Sequence, residues 1–113
     1  MAKIVSLVGL PGSGKTTVGK ALRDSYGWFY IDVDEEIEKE THRKIVDIIR
    51  EDGEVAFRAL EVEMISKLIS ELLEIGKIVA FCPGGGALIS KSSRELLKDK
   101  TFIVHIDVSL EQQ

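Results

Sequence analysis

Short apolar, β-branched runs alternate along this chain with longer stretches in which apolar residues recur every three or four positions. Lys3 to Val8 (KIVSLV) is the first such run and reads as a buried strand of a parallel sheet. Thr16 to Tyr26 reads as a helix, with Val18, Ala21 and Leu22 on one face and Gly27 at its end. Trp28 to Asp32 (WFYID) predicts a second strand. A short helix is predicted over Glu35 to Thr41, and another around Ile45, Val46, Ile48 and Ile49, stopped near Gly53. The longest periodic stretch runs from Glu54 to Ile75, where Phe57, Leu60, Met64, Leu68 and Leu72 define a core-facing stripe. Lys77 to Phe81 predicts a third strand, Ser93 to Lys98 a short helix, and Thr101 to Val108 a fourth strand.

Strands alternating with helices imply right-handed crossovers and a parallel, doubly wound sheet. Such sheets bind ligands beyond the carboxyl ends of their strands. Three polar or glycine-rich clusters follow predicted strands: Gly9–Thr16, Asp32–Asp34 and Pro83–Gly86. They are expected on one rim.

The first cluster, Gly9-Leu10-Pro11-Gly12-Ser13-Gly14-Lys15-Thr16, matches G-x-x-x-x-G-K-[ST] with a strand before it and a helix after it. Glycines let backbone amides turn inward around an anion, and the helix points its positive end at the phosphates. Gly12, Ser13, Gly14, Lys15, Thr16 and Thr17 are the expected ATP-phosphate contacts. Lys15 supplies a compact charge at the β- and γ-phosphates, and the Thr16 hydroxyl a ligand for Mg²⁺. The loop does not reveal the acceptor, because kinases, switches and motors share it.

Asp32 and Asp34 stand two apart, and in an extended segment they would point the same way. Two readings stay open. The pair serves a metal and an attacking hydroxyl, or Asp34 is simply the N-cap of an acidic helix start with Glu35 and Glu36. Arg58 and Glu61 share a helix face, either as a surface ion pair or as a guanidinium held for a substrate carboxylate. Gly84-Gly85-Gly86 is either a turn or bare backbone offered to a ligand. Cys82 reads as a small buried residue. His42 and His105 read as structural, with His105 in a buried or half-buried strand.

Composition narrows the partners. The chain has 113 residues, which suits one domain over residues 1–113, and a net charge of −4, which disfavours nucleic acid. One cysteine cannot form an internal disulfide. The run Ile4 to Val8 is too short for a signal peptide, and nothing approaches a membrane span, so no membrane partner and a cytoplasmic location are expected.

Taken together, GLPGSGKTT, Tyr30-Ile31-Asp32-Val33-Asp34, Gly53-Glu54-x-x-Phe57-Arg58-x-x-Glu61 and the triple glycine resemble the shikimate kinase family, among the nucleoside monophosphate kinase-like P-loop proteins. The resemblance implies a three-layer α/β/α domain and MgATP-dependent phosphorylation of the shikimate 3-hydroxyl. By position it gives Lys15 and Thr16 to phosphate and Mg²⁺, and Asp32 to the metal through water. It gives Asp34 to the substrate hydroxyl as base, Arg58 to the substrate carboxylate, and Gly84, Gly85 and Gly86 to the ring hydroxyls. Relatives continue past Val108–Gln113 with an adenine-contacting arginine region, an arginine-bearing lid, a second substrate arginine, and a final strand and helix. The expectation is therefore a domain incomplete at its C-terminus, with turnover weak or absent in this chain. Two other readings compete with this one. One is a nucleotide-binding module without catalysis that self-associates through an open sheet edge. The other is a different small-molecule kinase, for gluconate or a nucleoside monophosphate, which would not be expected to carry both the Phe57-Arg58-x-x-Glu61 and triple-glycine motifs.

Overall fold

A computed structural model describes residues 3–9, 14–84 and 90–106. Among the described residues, four strands are joined by five helices. They are β1 (Lys3–Val8), α1 (Lys15–Tyr26), β2 (Phe29–Asp32), α2 (Val33–Thr41), α3 (Ile45–Asp52), α4 (Glu54–Leu72), β3 (Ile78–Cys82), α5 (Lys91–Lys100) and β4 (Phe102–His105). All pairings are parallel, and the strand order is β2-β3-β1-β4. The chain reverses its direction of travel across the sheet between β1 and β3. Their outgoing loops therefore part and leave a crevice.

The sheet is covered on both faces, as its apolar strands require. On one face Ile4, Val79 and Phe81 pack with Val33 and Ile37 of α2, Ile65 and Ile69 of α4, and Leu97 of α5. On the other, Leu7, Ala80 and Cys82 pack with Val18 and Leu22 of α1 and with Trp28 and Tyr30. This is the expected three-layer α/β/α arrangement. Among the described residues no helix is long and apolar enough to cross a membrane.

Several expectations need correction. α2 starts at Val33, not Glu35, because the Asp32 carboxylate accepts the Glu35 N–H at 3.2 Å and Val33 is drawn into the core. The N-cap is thus Asp32, not Asp34, and the two aspartates do not share an extended segment. α4 ends at Leu72 rather than Ile75, which is largely exposed. Ala21 of α1 is exposed, and Leu60 of α4 only half-buried. β4 ends at His105, with one further ladder bond from Ile106 N–H to Val8 O at 2.7 Å. Val108, expected in that strand, lies outside the described residues. His105 is exposed, not buried. β4 is outermost in the sheet, and α1 covers the central strands on its side but not Phe102 or Val104.

Candidate active site

β1 runs through the middle of the sheet and delivers the chain to Gly9 at its carboxyl end. α1 begins six residues later with Lys15, and its first turn carries no acidic residue. The positive end of the helix is therefore not neutralised by its own sequence. Lys15 Nζ donates to the Gly9 carbonyl at 2.9 Å and so bridges the two ends of the loop. Gly14, Lys15, Thr16 and Thr17 line a cleft of about 300 Å³, and both threonines are exposed. Gly12 and Ser13 lie outside the described residues.

β2 ends beside β3, with Asp32 opposite Cys82. Since Asp32 takes the cap, Asp34 falls in the first turn of α2 and is free of backbone duty. Its Oδ1 is buried with no hydrogen-bond partner. Burial, then the charges of Asp32 and Glu38, push its pKa above the ordinary aspartate value, while Lys15 and Arg58 oppose that rise. A buried, unpartnered carboxyl whose surroundings disfavour its charge suits proton transfer.

Arg58 lies one turn into α4. Its Nη1 donates to Glu61 Oε1 at 3.1 Å, and its Nη2 stands 3.5 Å from Glu54 Oε1. Its Nε is buried and unpartnered. Glu61 is only 1% exposed, so this is no surface ion pair. Burial raises the Glu61 pKa and Arg58 opposes the rise. Gly84 completes the group. At φ +65° it holds a conformation that favours glycine, and a Cβ there would stand 2.8 Å from Asp34 Oδ1 and 3.1 Å from Glu61 Oε2. The two carboxylates close over its bare backbone. Gly85 and Gly86 lie outside the described residues.

The rim thus brings together Lys15, Asp34, Arg58 and Gly84, with Asp32 and Thr16 beside them. Glu61 is more deeply built into the site than a simple partner of Arg58. The signal was available in its position, four residues after Phe57 and three before Met64, inside the apolar stripe of α4. Tyr30 was read only as a strand residue. Among the described residues no group of three or more His, Cys, Asp or Glu is placed to hold a metal by itself.

The family model for shikimate kinase matches residues 11–113. The chain belongs to the shikimate kinase family. Within that family it is 39% identical over 107 residues to the shikimate kinase of Persephonella marina, covering 95% of this chain and 62% of that protein. It is 43% identical over 106 residues to that of Corynebacterium jeikeium, covering 94% and 54% respectively. The fold is similar to that of the Acinetobacter baumannii shikimate kinase solved in complex with shikimate, with a TM-score of 0.85 and 35% identity. That match covers 99% of this chain and 60% of the solved one. The Aquifex aeolicus enzyme gives a TM-score of 0.80 at 33% identity, covering 96% and 61%. The chain spans somewhat over half the length of these relatives.

Proposed function

We propose that this chain transfers the γ-phosphoryl group of MgATP to the 3-hydroxyl of shikimate, giving shikimate 3-phosphate and ADP. The observation that carries the reading is the cluster of Asp34, Arg58, Glu61 and Gly84 on the same rim as Lys15. The Acinetobacter relative, solved with shikimate, supports the choice of substrate.

In this reading the amides of Gly12, Ser13, Gly14 and the first turn of α1, through Thr17, hold the triphosphate. Lys15 leaves the Gly9 carbonyl to meet the β- and γ-phosphates. Arg58 is held by Glu61 on one nitrogen and offers its unpartnered Nε side to the substrate carboxylate. Bare backbone at Gly84, continued by Gly85 and Gly86, receives the ring hydroxyls. The substrate hydroxyl oxygen bonds to the γ-phosphorus as the bond to the bridging oxygen of ADP breaks. Its proton passes to Asp34.

Thr16 and Asp32 fit a Mg²⁺ that arrives with the phosphates. The Thr16 hydroxyl is exposed at the cleft, and Asp32 Oδ1 is engaged by the Glu35 N–H, so Asp32 Oδ2 is the oxygen left for the metal's waters. Bound there, Mg²⁺ would neutralise charge on the phosphate oxygens. A cytoplasmic setting, where ATP is available, belongs to the same reading.

A coupled ADP-release assay with MgATP tests it. ADP release that depends on shikimate and disappears in Lys15→Met is the expected result. Release that ignores shikimate, or that follows another small molecule, overturns the assignment.

A further inference from the structure

Tyr30 lies in β2, opposite Ala80 of β3, and its side chain enters the layer between sheet and α1. The ring runs along one face of that helix. Arg23 sits over it at 5.8 Å from the centroid. One turn nearer the helix start, Gly19 makes room for it: a Cβ on Gly19 would stand 2.5 Å from Tyr30 Cε1, closer than real contacts come. Thr16 is three positions before Gly19 and Arg23 four positions after it, so the three share that face.

The hydroxyl at the end of the ring is fully buried and makes no hydrogen bond. It lies beside the Thr16 side chain and the Cys82 thiol, close enough for both to act on its ionisation. Burial keeps it protonated well above the ordinary tyrosine range, and pushes the Cys82 thiol up to about 11. A buried hydroxyl without a partner is costly, and a phenylalanine would fill the same space without that cost.

We propose that Tyr30 is a positioning residue of the phosphate site, whose Oη accepts a hydrogen bond from the Thr16 hydroxyl when nucleotide and Mg²⁺ bind. This rests on the placement of MgATP given above. A threonine hydroxyl that ligates a cation through its oxygen must direct its hydrogen elsewhere. Tyr30 Oη, buried and unpartnered beside Thr16, is the acceptor at hand. The bond fixes the Thr16 rotamer with its lone pairs toward the cleft. Gly19 is then required because any side chain there would displace the ring that carries the acceptor.

The test is calorimetric titration of the full chain with ADP, with Mg²⁺ and with a chelator. It compares wild type, Tyr30→Phe, Thr16→Val and the double variant. Tyr30→Phe is expected to leave metal-free affinity unchanged and to reduce the gain from Mg²⁺ about three- to tenfold, the worth of one hydrogen bond. It should add no further loss in the Thr16→Val background. Its Tm should equal or exceed that of wild type, since a buried unpaired group is removed. An unchanged Mg²⁺ gain, an equal loss with and without metal, an additive loss in the double variant, or a clear drop in Tm each overturns the inference. A wild type that binds ADP but gains nothing from Mg²⁺ also defeats it and leaves ADP binding standing. A wild type that binds no ADP removes the functional reading as well.

Discussion

Arg58 and Glu61 form an ion pair of 3.1 Å in which the acid is buried and the guanidinium keeps contact with water, at 1% and 26% side-chain exposure. The asymmetry decides what each substitution does. Arg58→Met leaves a carboxylate buried without its cation. The expected cost is about 2–3 kcal/mol at neutral pH, less than for a fully buried pair. Glu61 already has a raised pKa in the folded protein, and losing Arg58 raises it further. The folded state then binds the proton more tightly than the unfolded one. The penalty should therefore shrink as pH falls through the raised folded value toward the ordinary glutamate value of 4.5. Urea melts across that range check this. Glu61→Gln should keep the fold better, yet raise the KM for shikimate because Arg58 is no longer held.

Asp34, like Glu61, is a carboxyl whose environment disfavours its charge, chiefly through burial. Asp34→Asn should stabilise the protein at pH 7 by about 0.5–2 kcal/mol while abolishing turnover. The folded pKa of Asp34 is raised, so the wild type gains stability as pH drops from that raised value to the unfolded one. The advantage of Asp34→Asn should fade over the same interval. Thermal melts of both proteins from neutral to acid pH check the convergence.

Gly84 is the point at which Asp34 and Glu61 close on the backbone. Gly84→Ala places a methyl group 2.8 Å from Asp34 Oδ1 and forces a side chain into a left-handed conformation. A loss of about 1–3 kcal/mol is expected from these two effects. Shikimate binding should fall more than ADP binding, because the cleft at Gly14–Thr17 is built from other residues. Parallel titrations with the two ligands separate the outcomes.

Asp32 caps α2 and in the proposed function also holds the waters of Mg²⁺, and one pair of variants separates the two. Asp32→Asn keeps a side-chain acceptor for the Glu35 N–H, so stability should hold while the Mg²⁺ requirement rises. Asp32→Ala should lose the cap as well, at about 1 kcal/mol. Denaturation midpoints read the cap, and Mg²⁺ titration of ADP binding reads the charge.

The helices and strands of the described residues were legible in the sequence, because the apolar periods of α4 and the β-branched runs of β1 and β3 match their burial. The sequence reading misjudged the cap. Asp32 and Asp34 are chemically the same, and only the packing of Val33 into the core decides which of them starts the helix. It expected His105 in a buried or half-buried strand, but β4 lies at an end of the strand order and His105 at the last position of that strand, where it is exposed. Glu61 was legible as a charge inside an apolar stripe, and Tyr30 was not. A tyrosine in a strand is an ordinary sheet residue until the three-dimensional arrangement buries its hydroxyl without a partner.

The central claim is that Lys15 and the Asp34–Arg58–Gly84 cluster serve one transfer reaction. Mass-spectrometric analysis of the full chain incubated with MgATP and shikimate tests it most directly. The account predicts ADP and shikimate 3-phosphate in equal amounts, with both lost in Lys15→Met and in Asp34→Asn. ADP formed without phosphorylated shikimate, or phosphorylated shikimate undiminished in either variant, would contradict it.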